Sequence, residues 1–366
     1  MLNKFAYLLL ILSTLANIYF KEYKYYWYLG TVVLMTLFGY TSSRTKVNYC
    51  FEYKPQEYDE ERKIGWSPVY RHPSVTGELV KTVRDEIRTL QDFVTHAESY
   101  ADENFIGKRE VGPDGKLGKF VFKTYRTIIE TAKHFGAGVA ALKLCKDNDN
   151  YKFPLKFISI FAPNIEPWYI MDIGCMVYGY TLAPIYATLG PDSVGYVLNQ
   201  TESQVLGLVT KQVELISQEK TKGNLHHLKY LIVMDKADPN FATEVMKAEE
   251  AGFKVFTFEE VCAAGEKNFK ESAIPEVKPD LPYTLCYTSG TTGDPKGAVY
   301  THGNIVAQVA GIGGNSIIET DESDVHLSYL PLAHIAERGT FINVMYVGAK
   351  VGIFNGNIKL MKDDLE

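Results

Sequence analysis

The 366-residue sequence has no excess of positive charge: 38 Lys and Arg stand against 44 Asp and Glu, a formal net charge of -6. Affinity for nucleic acid rests on clustered cations that neutralise phosphates, so a phosphate-backbone binder is excluded. Cysteine is sparse. Cys50, Cys145, Cys175, Cys262 and Cys286 form no CxxC pair and are odd in number, which argues against a disulfide framework and for a reducing compartment. The eight histidines make no i,i+4 pair beside a glutamate, and no metal-ligating residue is assigned. No repeat of fixed period and no low-complexity tract interrupts the chain.

Long charge-free apolar runs are confined to the N-terminus. "FAYLLLILSTLANIYF" (Phe5 to Phe20) and "YYWYLGTVVLMTLFGY" (Tyr25 to Tyr40) are each sixteen residues long and are separated by Lys21, Glu22, Tyr23 and Lys24. That is short of the roughly 20 residues a spanning helix needs, a difference that snorkelling lysines and local thinning can absorb. Tyr19, Phe20, Tyr23, Tyr25, Tyr26, Trp27 and Tyr28 gather around the charges as interfacial aromatics do. A cleaved signal peptide fits poorly, because no small-residue cleavage site precedes Lys21 and a second apolar stretch follows at once. Residues 1–43 are therefore expected to form a membrane anchor of one or two short spans. Residues 44–63, with "YDEERK", form a polar linker, and residues 64–366 form the body. The body is expected to face the cytosol or an equivalent reducing space, at the endoplasmic reticulum or a mitochondrial membrane.

In the body, Leu79, Val83, Ile87, Leu90 and Phe93 recur at helical spacing and predict a helix over Gly77 to Asp102. The turn-rich "VGPDGKLGK" (Val111 to Lys119) followed by "FVFKTY" predicts a hairpin before a helix from Tyr125. From Lys156 onward, short β-rich runs alternate with amphipathic stretches: "FISIFA", "QVLGLV", "LKYLIVMD", "KVFTF", "YTLCYT", "DVHLSYL" and "AKVGIF". Such alternation predicts an α/β fold of layered, mostly parallel sheets with flanking helices, and ligands collect beyond the carboxyl ends of strands in such sheets.

"YTLCYT" runs into such a place. In "TSGTTGDPKG" (Thr288 to Gly297), Gly290, Gly293 and Gly297 allow φ values that other residues resist, so that backbone N–H groups can converge on an anion. Thr288, Ser289, Thr291 and Thr292 add hydroxyl donors, and Lys296 adds a point charge. The Walker A pattern of P-loop NTPases is excluded, because Pro295 precedes Lys296 and Gly297 follows it. No dinucleotide fingerprint G-x-G-x-x-G opens a helix here either.

Thr288 to Gly297 matches, at every position, the signature loop of the adenylate-forming (AMP-binding) superfamily. "YLPLAHIAER" (Tyr329 to Arg338) resembles that family's next core motif. The stretch from Phe161 to Glu202 and "SPVYRH" (Ser67 to His72) resemble long-chain fatty acyl-CoA synthetases in particular, so that the resemblance extends from Trp66 to Glu366. It implies the N-terminal domain of an adenylate-forming enzyme. It also implies a fatty carboxylate attacking the α-phosphorus of ATP, with Mg2+ sharing the charge, and coenzyme A thiol then displacing AMP. By this resemblance Thr288, Ser289, Gly290, Thr291, Thr292, Gly293 and Lys296 would hold the nucleotide phosphates. His334 would lie beside the acyl carboxylate as a gate and donor, although a histidine at a helix start can equally satisfy local backbone. Thr301 fits both the family pattern and a helix N-cap, and Arg338, which could pair with surface acids, receives no role. A membrane anchor suits a substrate that partitions into lipid at about 0.8 kcal/mol per buried CH2.

The family's later segments, which supply a metal-associated glutamate, a ribose-binding aspartate and a C-terminal lysine, have no counterpart after Arg338. Two expectations of different class follow: the front portion of a longer membrane-bound ligase, or a shortened non-catalytic relative serving as a structural subunit of a membrane assembly. In either case the 366-residue chain alone is expected to be inactive, and "AKVGIF" is expected to leave apolar surface or a strand edge open to partner chains.

Overall fold

The computed structural model describes residues 51–53, 69–71, 80–112, 117–186, 191–288, 295–313 and 320–365. Two units are distinguished, Met1–Leu79 and Val80–Glu366. In the first, β1 (Phe51–Tyr53) and β2 (Val69–Arg71) pair antiparallel, and β1 falls within the stretch expected to be a polar linker. The two N-terminal apolar stretches lie outside the described residues. Among the described residues no helix is long and apolar enough to cross a membrane.

The second unit opens with α1 (Leu90–Ala97), β3 (Asn104–Val111), β4 (Leu117–Thr124), α2 (Tyr125–Ala141), β5 (Phe157–Phe161) and α3 (Glu166–Tyr178). Next come β6 (Thr181–Ile185), α4 (Pro191–Gln200), β7 (Val205–Leu208), α5 (Thr210–Thr221), β8 (Tyr230–Val233), α6 (Phe241–Glu250), β9 (Lys254–Thr257) and α7 (Phe258–Asn268). It ends with β10 (Pro282–Thr288), β11 (Lys296–Thr301), α8 (His302–Gly313), β12 (Val325–Ser328), α9 (Ile335–Val347), β13 (Lys350–Ile353) and α10 (Met361–Leu365). The expected hairpin and the helix starting at Tyr125 are both present.

Seven strands form one sheet in the order β11-β10-β6-β5-β7-β8-β9, parallel except for the antiparallel pair β10–β11. The central strands β5 and β6 are buried along their whole length, as strands covered on both faces must be. A second sheet runs β12-β13-β3-β4. Helix α3 touches β6 of the first sheet and β3 of the second, and it is buried continuously from Trp168 to Tyr178. That explains its nearly uninterrupted apolar sequence, because a helix packed on all sides has no polar stripe. Gly179 ends it in the left-handed conformation, at φ 67°.

Two expectations are corrected here. Gly77 to Leu79 lie outside the described residues, and from Val80 onward the helix predicted over Gly77 to Asp102 begins only at Leu90, because the Thr89 hydroxyl accepts from Asp92 N–H while the Asp92 carboxylate accepts from Arg88 and Thr89 N–H. That reciprocal cap fixes the start, and Val83 and Ile87 still reach the core from irregular backbone. The strand in "AKVGIF" is no edge: β13 pairs with β12 on one side and β3 on the other. The outer strand there is β12, where Val325 is exposed, as are Tyr329 and Leu330 just beyond it.

Helices α2 and α7 meet backbone to backbone. A Cβ on Gly265 would lie 1.7 Å from the His134 carbonyl oxygen, and one on Gly138 would lie 1.9 Å from that of Val261. Main chain cannot rotate away as a side chain can. Gly265→Ala is therefore expected to cost about 3 kcal/mol, the upper end of overpacking penalties, seen as a lower denaturation midpoint in urea.

Candidate functional site

Strands β10 and β11 form the arms of the hairpin whose tip carries the loop expected to bind phosphate. Thr288 at the end of one is the register partner of Lys296 at the start of the other, and both are exposed. The hydroxyl and the ammonium thus stand on facing residues at the hairpin's mouth. Ser289, Gly290, Thr291, Thr292 and Gly293 lie outside the described residues. Gly297 differs from its expected role: it carries no positive φ and sits in the strand opposite Tyr287. Its missing side chain admits the Tyr287 ring, since a Cβ there would come within 3.2 Å of that ring. The Tyr287 hydroxyl in turn donates to Gln200 of α4 at 2.7 Å.

The parallel neighbour of β10 is β6, with Thr284 opposite Leu182, so the two strands run out side by side toward Thr288 and Tyr186. Tyr186 meets His334 edge to face, with ring centroids 6.5 Å apart. His334, Thr288 and Lys296 are thereby gathered at the carboxyl end of the sheet, where a ligand was expected. His334 is the N-cap of α9, and its Nδ1 accepts from the Ala336 N–H at 3.1 Å. Local capping and an outward role turn out to be compatible. With Nδ1 accepting, the neutral ring carries its proton on Nε2, which has no partner among the described residues and can donate to a ligand. Thr301 is likewise a cap, accepting from Asn304 N–H at the start of α8.

The "YLPLAH" segment is held by Asn164, which donates to the Leu330 carbonyl at 2.7 Å and accepts from Leu332 N–H at 2.8 Å. Buried Glu337 accepts from the Ser328 hydroxyl and pairs with His326 at 2.8 Å, tying the first turn of α9 to β12. Arg338 departs furthest from expectation. It does not pair with surface acids but is fully buried, donating to the Thr284 hydroxyl at 2.8 Å and to Cys286 Sγ at 3.3 Å. Its guanidinium also lies over the Tyr283 ring, 5.5 Å from the centroid, and the Tyr283 hydroxyl donates to Asp172 on α3. Burial pushes the Asp172 carboxyl up to about 6, although the Arg338 charge and the Tyr283 hydroxyl both pull it down.

Arg338, Asp172 and Tyr283 were missed because burial is a tertiary fact. One signal was available: Arg338 follows His334 by four residues, which puts both on one side of a helix. Among the described residues, no group of three or more His, Cys, Asp or Glu could hold a metal ion.

The pattern of AMP-binding enzymes matches residues 105–366. The chain belongs to the AMP-binding enzyme family. The chain is 32% identical over 310 residues to the peroxisomal long chain acyl-CoA synthetase 7 of Arabidopsis thaliana, an overlap of 83% of this chain and 41% of that one. It is also 32% identical over 311 residues to fatty acyl-CoA synthetase B of Dictyostelium discoideum, covering 82% of this chain and 44% of that one. The chain thus spans less than half the length of both relatives. Among solved structures, the adenylation domain of a carboxylate reductase from Mycobacterium chelonae aligns with a TM-score of 0.64 at 20% identity, over 77% of this chain and 45% of that one. A putative long-chain-fatty-acid CoA ligase from Rhodopseudomonas palustris aligns with a TM-score of 0.54 at 17% identity, over 72% and 57%. These likenesses establish the fold.

His334→Ala is expected to lose the α9 cap at a cost of about 1 kcal/mol, whereas His334→Asn keeps a capping side chain and should stay within about 0.5 kcal/mol of the parent. Both remove the Nε2 donor. Unequal melting temperatures, together with an equal change in the two variants' affinity for an added fatty acid used as probe, would separate the outward role from the cap.

Proposed function

We propose that the protein takes part in ATP-dependent activation of long-chain fatty acids at a membrane surface. The observation that carries this is the placement of Thr288 and Lys296 on facing residues at the mouth of a hairpin, with His334 at the same end of the sheet. A fatty carboxylate oxygen attacks the α-phosphorus, the bond to the β-phosphate breaks, and pyrophosphate leaves. Coenzyme A thiol then displaces AMP to give the thioester. Charge builds on the β- and γ-phosphate oxygens in the first step. Donors fixed in advance by a hairpin cost little reorganisation as that charge develops. Lys296 supplies the point charge, and the Thr288 hydroxyl and the loop between them supply the donors. The His334 Nε2–H is available to orient the carboxylate. Mg2+ bound with the nucleotide would supply countercharge to its phosphates, and among the described residues no group of three or more His, Cys, Asp or Glu could hold it independently. The names of the relatives support a long-chain acyl substrate.

We assign the two N-terminal apolar stretches to membrane attachment, which brings the site to where such acyl chains concentrate. The body then faces the cytosol or another reducing space, at the endoplasmic reticulum or a mitochondrial membrane. The described cysteines are free thiols, which suits that placement.

MgATP titrated into the purified protein should bind, and Lys296→Ala should weaken it by tenfold or more, equivalent to at least about 1.4 kcal/mol, at an unchanged melting temperature. A parent protein that binds no MgATP, or a variant that binds as tightly as the parent, would refute the assignment. Attachment is checked separately by washing membranes with alkaline carbonate: the chain should stay in the pellet, and a version starting near Glu52 should not. Recovery of the intact chain in the supernatant would exclude an integral anchor.

A further inference from the structure

Three anchors fix the start of α9, and they do different things. Asn164 holds the segment ahead of it, and Glu337 ties it to β12 within the second sheet. Among the described side-chain hydrogen bonds, α9 reaches β10 only through Arg338, whose two terminal nitrogens take Thr284 and Cys286. Those two residues are alternate positions on one strand and so share a face, and Thr288 is the next position on that face. One turn back along α9 from Arg338 stands His334. A single guanidinium therefore spans the helix that presents the histidine and the strand that delivers the phosphate loop.

The energetics point away from a purely stabilising role. Buried Arg338 Nε and Asp172 Oδ2 have no hydrogen-bond partner among the described residues, so desolvation in this cluster is only partly offset. What the planar fork does supply is geometry, because two fixed donors to two points on a strand leave little freedom of slide or tilt.

We propose that Arg338 is a positioning residue that sets His334 and the Thr288 end of β10 in register with each other, a role that rests on the nucleotide-binding function proposed above. Its test separates position from folding. Arg338→Lys keeps a cation near Asp172 and Tyr283 but cannot make both fork contacts. It should unfold cooperatively within a few degrees of the parent while the folded protein binds MgATP about tenfold more weakly. Thr284→Val and Cys286→Ala each remove one acceptor and leave the guanidinium in place; each should weaken MgATP severalfold, and they decide the matter if the lysine variant does not fold. Unchanged MgATP affinity in folded Arg338→Lys, or in both β10 variants, would overturn the proposal while leaving the nucleotide-binding function intact. Absence of MgATP binding by the parent would instead remove that function, and the proposal with it.

Discussion

A fully buried guanidinium is the constraint on which the site depends. Taking an arginine out of water costs several kcal/mol even after relaxation, and the return here comes from one hydroxyl, one sulfur, one aromatic face and a carboxylate reached through Tyr283. These groups belong to β10 and α3, which Arg338 thereby ties to α9. A slip between Pro282 and Thr284 in the pairing with β11 leaves Tyr283 as an extra residue. Such an irregularity can turn Tyr283 and Thr284 toward the same side, where Arg338 meets both.

Around this cluster, neutral polar groups hold the neighbouring helices. His302 begins α8 fully buried, and its Nδ1 accepts from the Leu90 N–H at the start of α1. Burial pushes the imidazole down to about 3, with Asp92 only weakly opposing, so the ring stays neutral and keeps the lone pair this bond requires. Tyr125 does comparable work at the other sheet, donating to the Ala349 carbonyl at 2.7 Å while stacking on Phe105. The layers are thus joined by single, directed bonds set inside continuous apolar packing. That arrangement fixes the register of α1, α8 and β13 more sharply than packing area alone would.

The fold was legible where local pattern and tertiary outcome agree. Short β-rich runs alternating with amphipathic stretches led to the parallel sheet, and Thr301 and Tyr125 marked helix starts. Legibility failed where local chemistry was outvoted. Val83 and Ile87 pack without helix because the Thr89–Asp92 cap takes the N–H groups an earlier turn would have used. "AKVGIF" was expected to leave apolar surface or a strand edge open, yet its partners, β12 and β3, both precede it in sequence and flank it. At the site, hydroxyls, glycines and a lysine advertised an anion. The buried arginine four residues after His334 advertised nothing, because composition cannot distinguish a solvated arginine from a sequestered one.

Gly297 departs from the conformational role expected of it. Gly297 was grouped with the others on conformational grounds, yet it is ordinary extended strand whose missing side chain makes room for Tyr287. An aromatic ring laid across a strand glycine restores the packing that the glycine forfeits, and here the ring is itself fixed by Gln200. The pair adjacent to it in the ladder is Thr288 with Lys296. Holding Tyr287 against Gly297 therefore holds Thr288 and Lys296 at ladder spacing, so that backbone pairing fixes where the two arms of the hairpin present these residues. Preorganisation of this kind needs a rigid frame and leaves the loop itself free of that task, which is why the hairpin arms carry the aromatic and the arginine contacts while the loop between them is built from small donors.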